Sequence, residues 1–238
     1  MNSQFVVGID VGGQTTKLGV VDARGTVLAQ TVIRTDTYTD VEPYIAELAE
    51  ALNKIIKESG CEGDIRGIGV GAPNGNYYTG TIENAVNLSW GGSKTIKFAQ
   101  LLSDAMNGLP VALTNDANAA AVGEMTYGAA RGMKNFIMIT LGTGVGSGII
   151  INGEVVYGHD GFAGELGHVT AVRSNGRSCN CGRTGCLETY ASATGVARTA
   201  REWLELTDEP SVLRSLDNIT SKDVYEAAKE GDKLALKI

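Results

Sequence analysis

The chain has 238 residues, enough to bury a core without disulfide staples. Hydrophobic residues make up 43% and charged residues 20%, which excludes a disordered or collagen-like chain. Twenty Lys and Arg stand against 27 Asp and Glu, a net charge of −7, and an acidic surface argues against nucleic acid or an anionic membrane as partner. Gly departs from average usage: 32 residues, about 13% against a background near 7%. So many Gly in a folded chain mark tight turns or backbone held close to a ligand.

Phe5–Asp10 reads as a buried strand. Lys17–Val21 and Val27–Ile33 are two more, set off by turns at Gly12-Gly13 and Arg24-Gly25. Ile45, Leu48, Ala49, Leu52, Ile55 and Ile56 recur at helical spacing, and Gly60 stops that helix. Ile65–Gly71 is a fourth strand, and residues 72–94 read as loop, with Pro73, Gly75, Gly80, Gly91 and Gly92. A helix over Ile96–Met106, a strand at Val111–Thr114 and a helix start at Asn115-Asp116 complete the first half. A hairpin feeding strand–helix alternation predicts an α/β layered fold with a mixed sheet. Later come a helix over Leu187–Leu206, another from Ser221, and an apolar helical pattern in Leu234–Ile238. No apolar run approaches the roughly 18–20 residues of a membrane span. Met1-Asn2-Ser3-Gln4 lacks the basic start of a secretory signal.

An internal repeat governs the fold. Val6–Val21 and residues 136–151 are both an apolar strand, a Gly-rich turn and a second apolar strand. Two such hairpins predict two similar halves facing each other, divided here as residues 1–118 and 119–238. Glycines let backbone N–H groups converge on an anion. Thr15, Thr143 and Ser147 can add hydroxyl donors, Lys17 can neutralise phosphate charge, and Asp10 can hold a hydrated Mg2+. One Gly-rich turn is a weak signal; two in equivalent places are a stronger one. Neither is a dinucleotide fingerprint or a P-loop.

Asp116 follows a strand and opens a helix, where open α/β sheets place their ligands. It reads as a general base with Asn115 beside it, and equally as a helix cap. His168, Cys179, Cys181 and Cys186 form a Cys3His set suited to a closed, structural Zn2+ site. Such thiols point to a reducing cytoplasm. Glu165 and Glu188 flank this cluster, whereas His159 and Cys61 carry no pattern that assigns them a role.

These residues together resemble the ROK family of sugar kinases and sugar-responsive repressors. The matching pieces are Asp10-Val11-Gly12-Gly13 with Lys17, Gly69-Val70-Gly71-Ala72-Pro73, Asn115-Asp116-Ala117-Asn118, Leu141–Gly146, Gly164-Glu165-Leu166-Gly167-His168, and the Cys cluster ending in Leu187-Glu188. The resemblance covers essentially the whole chain. It implies a duplicated actin-like, ribonuclease H-like ATPase fold of two lobes and a cleft, whose closure excludes water. It implies an ATP-dependent hexose kinase, glucokinase-like, with Asp116 taking a proton from the sugar hydroxyl, the 6-OH. By the same resemblance Asn115, Asp116, Glu165, His168 and Glu188 grip the sugar, and Asn87 is a weaker contact. Asp10, Gly12, Gly13, Thr15, Lys17, Gly142, Thr143 and Gly144 hold the ATP phosphates and Mg2+. Zn2+ on His168, Cys179, Cys181 and Cys186 braces the sugar wall.

The sequence departs from that pattern at Gln14, where a Thr is usual and where Thr15 and Thr16 could substitute, and at Asn74-Gly75-Asn76. Glucose is the first expected substrate, ahead of N-acetylmannosamine, N-acetylglucosamine, fructose and allose, in a homodimer or higher homo-oligomer. The rival readings are a sugar-sensing repressor and a non-catalytic sugar-binding module. The repressor is disfavoured by the acidic charge and by the four residues ahead of the first strand. The second half lacks two later strands and a Gly-rich adenosine turn. The expectation is therefore that residues 1–238 alone bind ATP poorly, phosphorylate sugar slowly and aggregate, while a longer parent chain is competent.

Overall fold

A computed structural model describes residues 4–238. Strand β1 (Phe5–Val11) alternates: Val7, Ile9 and Val11 are buried on one face, and Gly8 and Asp10 lie on the other. β2 (Thr15–Asp22) pairs antiparallel with it and places Lys17 opposite Asp10. β3 (Val27–Arg34) continues the meander. The helix α1 (Val41–Ser59) buries Tyr44, Leu48, Leu52 and Ile55, and Gly60 closes it in the left-handed region at φ 69°. β4 (Ile65–Ala72) returns parallel to β1.

The stretch read as loop contains structure of its own. β5 (Gly75–Asn76), β6 (Thr81–Glu83) and β7 (Thr95–Ile96) form a separate three-stranded sheet. The expected helix over Ile96–Met106 starts later, as α2 (Phe98–Ala105), because Ile96 pairs with Ile82. Trp90 is almost fully buried and stacks on Tyr44 at 4.9 Å and on Phe98 at 5.9 Å. β8 (Val111–Asn115) joins the main sheet parallel to β4 and feeds α3 (Asp116–Tyr127). The main sheet has the order β3-β2-β1-β4-β8, mixed as expected.

The second hairpin forms as β9 (Phe136–Leu141) and β10 (Val145–Ile151), with β11 (Glu154–Val155) on the far side of β10. The helix expected over Leu187–Leu206 is two helices, α4 (Glu188–Ala191) and α5 (Ala193–Leu206). They break at Ser192, whose extended backbone and side chain cap α5 through Gly195 N–H. α6 (Ser221–Lys229) opens on a reciprocal capping box between Thr220 and Asp223. Leu234–Ile238 does not continue as an α-helix. Asp232 turns the chain by accepting from Leu234 and Ala235 N–H, and a 3-10 turn covers Ala235–Lys237.

Contacts group the chain into two units. One comprises residues up to Met138 together with Gly148–Ala163; the other comprises Ile139–Ser147 and Gly164–Ile238. α3, beyond residue 118, groups with the first unit, whose core runs from Val7 to Leu113. The second has a small core of Ala200, Leu213, Ile219, Val224, Ala227, Leu234 and Ala235. Among the described residues no helix is long and apolar enough to cross a membrane.

Candidate active site

The first Gly-rich turn lies in the first unit, between β1 and β2. Gly12 N–H donates to Thr15 O at 3.0 Å, closing the turn. Gly13 carries no side chain because the carbonyl of Asn87 would lie 2.8 Å from its Cβ. Asn87, expected as a sugar contact, thus has its backbone against the first Gly-rich turn, and its residue is exposed. Asp10 and Lys17 approach to 4.0 Å with side chains 62% and 71% exposed, so both stay open to a ligand. Thr15 is half-buried at the turn. Thr16 is unavailable: it is fully buried and bonds Thr35 Oγ1 at 2.8 Å and Tyr44 Oη at 2.6 Å. Of the two hydroxyls that could stand in for Gln14, Thr15 alone remains.

An open cleft of about 610 Å3 lies over the sheet face that carries Asp10, Lys17, Gly71 and Thr114. Tyr77 and Tyr157 also line it, stacked in parallel at 4.3 Å. The sequence carried no signal for this pair, since the two tyrosines are eighty residues apart.

Asn115 and Asp116 both meet the start of α3. Asn115 is the residue before the helix, with extended backbone, and its Oδ1 accepts Ala117 N–H at 2.9 Å. Asp116 is the first helical residue and is exposed, though its Oδ1 shares that N–H at 2.8 Å. Partial burial of its carboxyl raises its pKa above the usual Asp value; the Ala117 N–H opposes the shift and the Asp10 charge adds to it.

In the second unit the turn Gly142-Thr143-Gly144 is held from the segment around α4. Glu188 Oε2 accepts Val145 N–H at 2.9 Å, Ala193 N–H donates to Gly142 O at 2.8 Å, and Thr194 Oγ1 donates to Thr143 O at 3.1 Å. Ser147, read as a phosphate donor, is buried and already committed. Its Oγ donates to Gly164 O and accepts Leu166 N–H. Gly164–His168 ends in a 3-10 turn over Leu166–His168, which sets Glu165 Oε2 3.9 Å from His168 Nε2.

The Cys3His set converges. The ligand atoms of His168, Cys179, Cys181 and Cys186 all lie within 4.8 Å of one another. His168 Nδ1 is 3.6 Å from Cys179 Sγ, and Cys181 Sγ is 3.6 Å from Cys186 Sγ. Metal–ligand lengths of about 2.0–2.3 Å give a tetrahedron edges of about 3.3–3.8 Å, so the donors fit zinc in chemistry and spacing. With Nδ1 toward the thiols, Nε2 points the other way, toward Glu165.

One functional support had no sequence signal. Arg177 is nearly buried, with 9% of its side chain exposed, and donates to Thr189 O, Gly195 O, Thr199 Oγ1 and Glu202 Oε2. Its guanidinium lies 4.5 Å from the Tyr190 ring centroid. It fastens the Cys loop to α4 and α5. The exposed Arg side chains of the same chain look identical in sequence.

The ROK family model matches residues 6–238. A glucokinase of Halalkalibacterium halodurans is 41% identical over all of this chain and 72% of its own length. A xylose repressor of Caldicellulosiruptor bescii is 30% identical over 96% of this chain and 57% of its own. Among solved structures, a ROK family glucokinase from Streptomyces griseus, in complex with glucose and AMPPNP, superposes with a TM-score of 0.75 at 34% identity. The match covers 98% of this chain and 73% of that one. The fold is thus that of the ROK sugar kinases, and two Gly turns, an Asn-Asp helix start and a converged Cys3His set sit where one continuous family match runs through them: the chain belongs to the ROK family.

Proposed function

We propose that this chain is an ATP-dependent hexose kinase of the glucokinase type, moving the γ-phosphate of ATP to a sugar hydroxyl. The observation that carries this reading is Asp116. It stands at the end of a parallel strand, is exposed, shares the Ala117 N–H with Asn115, and has a raised pKa that improves it as a proton acceptor. The similarity to glucokinases supports the substrate class. The weaker identity to a xylose repressor leaves the sensing reading second.

Phosphoryl transfer needs positioning and charge neutralisation more than covalent help. In the proposed site Asp116 accepts the proton of the 6-OH as that oxygen bonds to phosphorus and the β–γ bridging oxygen leaves. Asn115, Glu165, His168, Glu188 and, more weakly, Asn87 are the proposed sugar ligands, because carboxylates and amides engage hydroxyls in fixed directions. Gly12, Gly13, Thr15 and Lys17, with Gly142, Thr143 and Gly144, are proposed for the phosphates. Asp10 is the carboxylate that would hold a Mg2+ ion accompanying the nucleotide, and that ion would supply neutralisation of phosphate charge. Zinc on His168, Cys179, Cys181 and Cys186 is proposed as structural, since four protein donors leave no open position. A reducing cytoplasmic setting suits those thiols, and a homodimer is the default assembly.

A coupled assay with ATP and a panel of hexoses tests the reading. Glucose is expected to be the preferred acceptor, with N-acetylmannosamine, N-acetylglucosamine, fructose and allose behind it. No phosphorylation of any hexose, with sugar binding intact, would leave a binding or sensing protein instead.

A further inference from the structure

We infer that Glu188 is a positioning residue for the second phosphate turn, and so links sugar binding to the order of the backbone that receives ATP. This rests on the kinase reading for the identity of the two ligands. The geometry lies wholly within the second unit. One carboxylate oxygen of Glu188 holds Val145 N–H at 2.9 Å. The same oxygen fills the space over Gly144, where a Cβ would come within 2.3 Å of it. A glycine at 144 is therefore needed for the carboxylate as well as for any phosphate. The other two ties on this turn come from Ala193 N–H, a single donor that is used up, and from the neutral hydroxyl of Thr194, which also meets Ser192 Oγ at 3.0 Å. Glu188 combines a tie to the turn with a second, anionic acceptor oxygen. It also stands two residues after Cys186, the last donor of the metal set, and opens α4.

The consequence is a coupling free energy. A sugar hydroxyl donating to Oε1 fixes the carboxylate, and a fixed carboxylate keeps Oε2 on Val145 N–H. Sugar then orders the turn, and by reciprocity nucleotide on the turn tightens sugar. An anionic acceptor makes this bond stronger than a neutral one, so Gln should weaken the tie and Ala abolish it.

Hydrogen–deuterium exchange of the amides of residues 141–146, read by mass spectrometry, tests this without requiring turnover. Compared with the parent protein, Glu188→Ala should exchange about 3–10-fold faster there, the equivalent of one net hydrogen bond, with Glu188→Gln between. Gly144→Ala should reproduce the effect by displacing the carboxylate, and should add nothing in the Glu188→Ala background. Glucose should slow exchange in the parent protein and leave Glu188→Ala unchanged. Equal exchange in the parent protein and both Glu188 variants, or full additivity with Gly144→Ala, overturns the inference. If Glu188→Ala does not fold, judged by circular dichroism, Glu188→Gln and Gly144→Ala decide alone. Failure of the kinase reading shows separately, as no hexose phosphorylated in the panel while the sugar-free exchange difference persists.

Discussion

Asp116, the proposed base, shares the Ala117 N–H with Asn115, the residue before the helix. Asp116→Asn should keep the fold and sugar binding and lose roughly 10²–10⁴-fold in turnover, the usual share of a general base. Steady-state kinetics with circular dichroism checks this, and near-normal turnover would remove Asp116 from its role. The raised pKa fixes the pH behaviour. Only the ionised carboxylate accepts a proton, so activity should fall as pH drops through a value above that of an ordinary Asp. A kcat/KM profile measures it, and Asp116→Asn should erase that acid limb. Stability runs the other way. Burial disfavours the charged form, so this group favours folding at low pH and that benefit is lost as pH rises through its folded pKa. At neutral pH Asp116→Asn should therefore unfold at a denaturant midpoint no lower than the parent. The two-residue motif Asn115-Asp116 was legible in sequence. How the two share the first helical N–H was not, because that depends on where the last strand residue turns into the helix.

At the scale of elements, the strand after the first Gly-rich turn rests on α1 through a buried polar contact. Tyr44 Oη bonds Thr16 Oγ1 at 2.6 Å, and burial pushes the Tyr44 pKa up to about 12. Tyr44→Phe leaves the Thr16–Thr35 pair in place and should cost about 1 kcal/mol in urea unfolding. The Cys loop is fastened to α5 by Arg177. Arg177→Ala should cost about 2–3 kcal/mol, the low end for breaking a buried pair because Glu202 remains 39% exposed. A drop under 0.5 kcal/mol would show that the loop is held by its own cluster. Helical spacing made α1, α5 and α6 readable, and Gly60 marked its stop. The break at Ser192 was hidden, since the apolar pattern passes through it and only the cap geometry stops α4. The short strands within the loop-rich residues 72–94 gave no sequence signal, because strands of two or three residues are too short to show a period.

For the molecule as a whole, the Cys3His set predicts one zinc per chain by elemental analysis. Any of Cys179, Cys181 or Cys186→Ser should release it and weaken sugar binding, since metal on Nδ1 fixes the His168 ring. With free zinc at about 1,000 times its Kd the linkage is worth about 4 kcal/mol, so chelation should lower the unfolding midpoint of the second unit. Zinc-free protein with full sugar affinity would refute the brace. The sequence by itself determined the order of the main strands and helices, the two Gly turns, the Cys3His set and the family. Each is written in spacing: period two, period 3.6, or donors within a few residues of one another. Tertiary structure decided which polar side chains are already used. Thr16 and Ser147 read as phosphate donors until packing against Tyr44 and Gly164 committed them. Glu188 read as a sugar contact and Arg177 carried no reading, until the fold brought Val145 and Glu202 to them from 43 and 25 residues away. A hydrogen bond saturates, so its partner in space, and not its residue type, sets what remains for a ligand.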